Sequence, residues 1–161
     1  MCGRFTLTVN PADLQDAFTN YTFPTNFAPR FNIAPTQPIL AIPNNDRNEA
    51  DFFLWGLIPM WAKDPSIGNR LINARAETLE EKPSFRGSLK HKRCLILADG
   101  FYEWKAGSNG RTKTPYYIHM NDHRPFAFAG LWDSWNGPDG SQIKSCTIIT
   151  TAANALVRPI H

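Results

Sequence analysis

Proline occurs thirteen times and glycine ten times in the 161 residues, scattered along the chain rather than gathered in one segment. Proline locks φ and cannot donate the N–H that a helix interior or a central strand needs, and glycine loosens whatever element contains it. A chain punctuated this way is built from short elements and many turns, which disfavours a helical bundle. The apolar runs left between the breakers are strand-sized. The sequence therefore predicts a β-rich α+β domain with short peripheral helices.

Residues 3–8 alternate in the β manner and predict a first strand. Asn10-Pro11 reads as a helix cap followed by proline in the first turn, with Leu14, Ala17 and Phe18 on one face of that helix. Residues 21–37 are proline-rich and read as irregular. Strands are predicted over 38–43 and 51–55, joined by the polar turn NNDRN, and the segment WGLIPMWAKD reads as an aromatic loop. A short extended piece at 71–74, a helical turn at 76–81 and a helix over 83–91 follow. Residues 92–98 form a strand dense in Leu and Ile, out of which ADGFYEW turns. Three more strands are predicted at 115–120, 126–135 and 143–151, and GPDG supplies the hairpin turn between the last two.

With 42% hydrophobic and only 19% charged residues the chain folds rather than staying disordered. Its length suits one domain spanning 1–161. A net charge of +3 permits a local basic groove without demanding one. Cys2, Cys94 and Cys146 are odd in number, widely spaced and form no C-x-x-C pair, so neither a disulfide framework nor a zinc site is expected. No metal or organic cofactor is implied. Arg4, Thr6 and Thr8 are polar where a signal peptide needs an apolar run, and no stretch reaches transmembrane length. The expectation is a cytoplasmic protein without a membrane partner, most simply a monomer.

Chemistry is concentrated at few places. Cys2 directly follows Met1, and removal of that methionine leaves an α-amine and a thiol on one residue. An unperturbed α-amine titrates at about 7.7–8.0 and an unperturbed thiol at about 8.5, so such a 1,2-aminothiol attacks an aldehyde through nitrogen and closes through sulfur. In an arbitrary protein, a cysteine near a terminus is simply a small residue. In NARAE, Asn73 and Arg75 share one side of an extended segment and could hold a sugar oxygen and a phosphate; a solvated strand end is the equal alternative. In ADGFYEWK, Glu103 stands between Tyr102 and Trp104. Desolvation there would raise its pKa and suit it to acid–base work, although an ordinary exposed glutamate fits the spacing too. His161 is a possible proton shuttle at the last position, while His91, His119 and His123 lack metal-ligand spacing and are expected on the surface. Arg4, Arg75, Arg86, Lys90, Lys92 and Arg93 could track phosphates. Trp55, Trp61 and Phe31 could stack on bases, though aromatics in a β-rich protein more often fill the core.

Taken in order, MCGRF, FNIAPTQ, WGLIPMWAKD, NARAET, KPSFR, RCLILADGFYEWK, GLWDSW and IITTAAN with its late histidine resemble the SOS-response-associated peptidase (SRAP) family along the whole chain. Members of that family form a covalent DNA–protein crosslink at abasic sites in single-stranded DNA. The resemblance implies a compact fold with a curved, largely antiparallel sheet, and single-stranded DNA carrying abasic sites as the partner. It makes Cys2 the crosslinking nucleophile, Asn73 the group that positions the opened sugar, and Glu103 the proton shuttle. His161 would assist ring opening and reversal. Arg4 and Arg75 would grip phosphates, with Thr150 a further contact, and the loops around Pro35 and Trp61 would splay the strand. Family chains continue past the histidine with an Arg-Met-Pro-like segment, so the resemblance describes a domain shortened at its C-terminus.

Two other functions stay open on sequence grounds. One is a cysteine-dependent peptidase acting on its own amino terminus. The other is a passive reader of damaged or single-stranded DNA.

Overall fold

The computed structural model describes residues 2–107 and 111–160. Ten strands and two α-helices follow one another as β1 (Phe5–Leu7), α1 (Pro11–Ala17), β2 (Arg30–Ile33), β3 (Pro38–Pro43), β4 (Asp51–Trp55), β5 (Asn73–Arg75), α2 (Pro83–His91), β6 (Arg93–Ala98), β7 (Gly100–Ala106), β8 (Lys113–His119), β9 (Phe126–Asn136) and β10 (Gln142–Thr150). Short 3-10 turns at Pro65–Arg70 and Ala76–Thr78 flank β5. Both helices begin at the prolines that the sequence marks. Asn10 caps α1 by accepting from the Asp13 N–H, and the Asp13 carboxylate returns a bond to the Asn10 N–H.

The strands form two sheets. The larger has the order β4-β3-β6-β9-β10-β5, and β10 also pairs with β4, so five strands close into a small barrel. All its pairings are antiparallel except those of β10 with β4 and with β5. One edge of β10 is thus shared: Ser145 and Cys146 lie against β4, and Ile148 to Thr150 lie against β5. The smaller sheet, β2-β1-β7-β8, is wholly antiparallel. The curved, largely antiparallel α+β architecture expected from the resemblance is the one observed.

The sheets meet through aromatic contacts. Phe5 packs edge-on against Trp55 at 5.1 Å and against Phe128 at 5.9 Å, and Phe101 meets the same Phe128 at 5.9 Å. The chain crosses between the sheets at Asp99, between β6 and β7. This buried carboxylate accepts from the Thr6 hydroxyl, the Thr8 hydroxyl at 2.6 Å, and the Thr8 and Val9 N–H groups at 2.5 and 3.1 Å. A buried charge with so many donors is satisfied without a cation. It ties the amino-terminal strand to the point where the sheets join.

Two expectations change. The segment read as irregular contains β2, because β1 supplies its partner: Phe5 pairs with Ile33 and Leu7 with Arg30 across a bulge. Only Ile33 of this strand is buried, so no alternation was there to be read. Trp55, a candidate base-stacking residue, is fully buried in the core, and its Nε1–H donates to the Ile72 carbonyl at 2.9 Å. No described helix is long and apolar enough to cross a membrane.

Candidate active site

A pocket of about 310 Å³ opens where the two sheets and the tail after β10 converge. Cys2, Glu103, Arg75 and Thr150 line it, and residues 151–153 with Val157 supply a wall from the tail. Each polar member arrives by a different route. Cys2 leads into β1, whose antiparallel neighbour β7 carries Glu103; the Tyr102 N–H donates to the Arg4 carbonyl at 2.9 Å and holds the two segments in step. Arg75 and Thr150 are direct partners in the parallel β5–β10 pair.

Asn73 completes the set from beneath. Its Nδ2 donates to the Cys2 carbonyl at 2.8 Å. Its Oδ1 is buried without a protein partner, and so is the Thr150 hydroxyl. Buried acceptors left over after folding are unusual. Thr150 lines the pocket and Asn73 is bonded to Cys2, which also lines it, so a hydroxylated ligand placed there would offer both groups partners.

Cys2 and Glu103 are each only 7% exposed. Burial pushes the Cys2 thiol up to about 12, and the neighbouring Glu103 carboxylate pushes in the same direction. The thiol is therefore held protonated at neutral pH. It becomes a nucleophile only when a base relieves it of its proton during reaction. The burial of Glu103 overturns the reading of it as an ordinary exposed strand residue. The flanking aromatics are not the cause: Tyr102 and Trp104 alternate onto the opposite face and contact each other at 6.3 Å.

The other expected site residues divide. Arg4 is half-buried and donates to Asn32 on β2 at 2.9 Å, beside the pocket but outside its lining. Pro35 sits in the tight β2–β3 connection, next to Thr36 at φ 68°. Trp61, 57% exposed, and Met60 line a different groove along α2. Arg86 lines a third depression with Lys90 and Arg93. Lys92 is committed to Asp133 at 2.5 Å and is not a free cation for phosphate. His161 lies outside the described residues. His91 and His123 are exposed as expected, whereas His119 is half-buried and stacks on His123 at 4.3 Å.

Sequence reasoning missed the tail wall at 151–153 and Val157, because small residues in a turn carry no chemical signal. It also missed Asp133, whose carboxylate accepts the Met60 N–H at 2.9 Å and so holds the aromatic loop. A further pocket of about 420 Å³, between Tyr21, Asn44 and Arg93, contains Cys94. That thiol is buried and pushed up to about 12, with no carboxylate among the causes. Among the described residues no cluster of His, Cys, Asp and Glu could hold a metal ion.

Comparison with known proteins gives this arrangement a family. The chain is 49% identical over 164 residues to the abasic site processing protein YoqW of Bacillus subtilis, covering 100% of this chain and 73% of that one. It is 31% identical over 205 residues to the abasic site processing protein HMCES of Xenopus tropicalis, covering 100% of this chain and 61% of that one. A solved structure from Bacteroides thetaiotaomicron superimposes with a TM-score of 0.88 at 27% identity, over 99% of this chain and 72% of that one. The profile of the SOS response associated peptidase (SRAP) family matches residues 1–161. The pocket around Cys2 is thus built on a shared fold and sequence, and the chain belongs to the SRAP family.

Proposed function

We propose that this protein processes abasic sites in single-stranded DNA by forming a covalent thiazolidine through Cys2 once Met1 has been removed. The observation that carries the reading is the burial of Cys2 and Glu103 together in one pocket, with Asn73 fastened to the Cys2 carbonyl. Relatives named as abasic site processing proteins support it.

The opened abasic sugar presents an aldehyde. The Cys2 amine adds to its carbon, a proton moves to the resulting oxygen, and water leaves to give an imine. The thiol then adds to the imine carbon while its proton passes to nitrogen. Aldehyde and aminothiol thereby become thiazolidine and water. An imine left open invites β-elimination and strand cleavage, so ring closure shields the DNA. Glu103 donates a proton to the departing oxygen and, as carboxylate, accepts one from the thiol. Asn73 Oδ1 and the Thr150 hydroxyl take up sugar oxygens, and Arg4 and Arg75 hold phosphates. His161 completes the set in the family pattern. The loops bearing Pro35 and Trp61 favour a splayed strand over continuous duplex.

A thiol raised to about 12 supports this amine-first order over a peptidase reading, in which a thiolate must strike first. The test is a denaturing gel of mature protein with an oligonucleotide bearing one abasic site. A heat-resistant shifted band is expected, and it is lost in Cys2→Ala and when Met1 is retained. Mature protein with a verified Cys2 terminus and no such band would refute the proposal. Binding on a native gel alone would mark a passive reader, and cleavage of an extended amino-terminal peptide would mark a peptidase.

A further inference from the structure

We infer that the outer face of β7 and β8 is a base-stacking platform, which carries single-stranded DNA onward from the Cys2 pocket. The inference rests on the DNA reading of that pocket and extends its substrate path.

The face has a specific construction. Gly100 lies beneath Tyr117: a Cβ added there would stand 2.3 Å from the Tyr117 hydroxyl and 2.4 Å from its ring carbons. Only a missing side chain lets the ring lie down across the sheet. Its hydroxyl is then pinned at 3.0 Å from the Thr6 hydroxyl, which the buried Asp99 holds in turn. The result is a ring fixed flat with 43% of the residue open to solvent. Tyr102 is its direct cross-strand partner, with ring centroids 5.1 Å apart.

The row continues on both sides. Trp104 lies 6.3 Å from Tyr102, and His119 lies 5.2 Å from Tyr117. The Nδ1 of His119 is 2.8 Å from the Met120 carbonyl, which can only accept, so that nitrogen carries the proton and the ring is fixed. Trp104 and Tyr117 are exposed and Tyr102 and His119 half-buried, and rings immobilised in register on an open sheet are the means by which proteins stack single-stranded bases without reading sequence.

Charge and continuity point to the same occupant. On this face the exposed charged side chain of β7 and β8 is Lys113, which pairs with Ala106, while Lys105 and the one carboxylate, Glu103, alternate onto the other face. The row begins beside Arg4, to whose carbonyl Tyr102 is bonded, and Arg4 is two residues from Cys2. A strand leaving the pocket past Arg4 meets Tyr102 and then Tyr117.

The experiment measures affinity for undamaged oligothymidylate of increasing length, in wild type and in Tyr117→Leu, Tyr102→Leu and Tyr117→Phe. Stacking on a ring is sequence-tolerant, and its loss should weaken binding to the longer oligomers about tenfold in either leucine variant. Tyr117→Phe keeps the ring and should stay within about threefold of wild type. Crosslinking to a short abasic oligonucleotide with one flanking nucleotide on each side should be unchanged in all three, which also shows that they are folded. Photocrosslinking with 5-iododeoxyuridine placed beyond the lesion should map to peptides containing Tyr102 or Tyr117. Unchanged affinity in both leucine variants would overturn the inference, as would photoadducts elsewhere. Capture of a proline-rich peptide by this face with no loss of oligothymidylate binding in the variants would also overturn it. If the abasic oligonucleotide fails to crosslink to wild type, the pocket reading falls, and the oligothymidylate series still decides the platform.

Discussion

Asn73 donates its side-chain amide to the carbonyl oxygen of Cys2 across 2.8 Å, and this bond joins the segment leading into β1 to the start of β5. Nothing in the sequence places those residues together, since 71 positions separate them. The bond anchors the Cys2 backbone, and with it the nitrogen that removal of Met1 would free. Asn73→Asp keeps the shape but sets an acceptor against an acceptor. We expect crosslinking by Asn73→Asp to slow by at least about tenfold, the scale of a misplaced reactive group. Single-turnover gel kinetics would measure this, and Asn73→Asp at the wild-type rate would show that the bond is dispensable.

Glu103 has two effects on Cys2 that pull apart on substitution. Its charge helps keep the thiol protonated, so Glu103→Gln should leave alkylation of Cys2 by iodoacetamide no slower than in wild type. The proton-transfer role proposed for it would be gone, and crosslinking should then fall by about a hundredfold, within the range for a general acid–base group. DNA affinity should stay nearly intact. A large loss of affinity in Glu103→Gln would move the residue from chemistry to binding.

Much of the frame was legible because strand and helix boundaries coincide with local signals. Pro83 starts α2, Asn10-Pro11 starts α1, and the strands read at 38–43 and 51–55, on either side of a polar turn, are β3 and β4. The candidate site was legible only as separate residues, Cys2 by its position and Glu103 and Asn73 by their neighbourhoods, each with a bland alternative, and the roles came from the family resemblance. What spacing does not carry is which face a strand shows to which partner. Trp55 looked available for stacking and is core, because β4 faces Phe5 from the other sheet. Tyr117 looked like an ordinary strand residue, and its exposed, pinned ring depends on a glycine far earlier in a paired strand, Gly100. Barrel closure through the shared edge of β10 is likewise a long-range event with no local trace.

The three cysteines are all buried, and all three thiols are raised, Cys2 and Cys94 to about 12 and Cys146 well above its ordinary value, with burial the leading cause in each. Below their ordinary value of 9.0 each thiol is protonated in both folded and unfolded chains. Between about 9 and about 12 the unfolded chain releases these protons and the folded chain keeps them. Stability should therefore fall as pH rises through that window, by about 1.4 kcal/mol per pH unit for each thiol. Urea denaturation between about pH 8 and about pH 11 would measure the slope, and Cys94→Ala should reduce it by one thiol's share. An identical slope in Cys94→Ala would show that this thiol does not titrate in that window.

Gly68 stands at the point where the chain is steered back toward Asn73. An added Cβ would lie 2.7 Å from the Gly56 carbonyl oxygen and 3.0 Å from Ile58 Cγ1, and the first of these is backbone that cannot swing aside. Gly56 itself is committed: its φ is 134° and its N–H donates to the Cys146 carbonyl at 2.8 Å. Gly68→Ala must therefore push the 3-10 turn away from the barrel and displace β5, which begins shortly after it at Asn73. We expect a loss of about 1–3 kcal/mol, as for other overpacked sites, together with slower crosslinking, because Asn73 moves with β5. Gly87→Ala is the matched control. It lies inside α2 with nothing within 4 Å of its added Cβ, so the better helix former should stabilise the protein by about 0.5–1 kcal/mol and leave crosslinking unchanged. Thermal melts and crosslinking rates of the two variants, measured side by side, check the claim. A Gly68→Ala protein as stable and as active as Gly87→Ala would mean that the turn does not hold Asn73 in place.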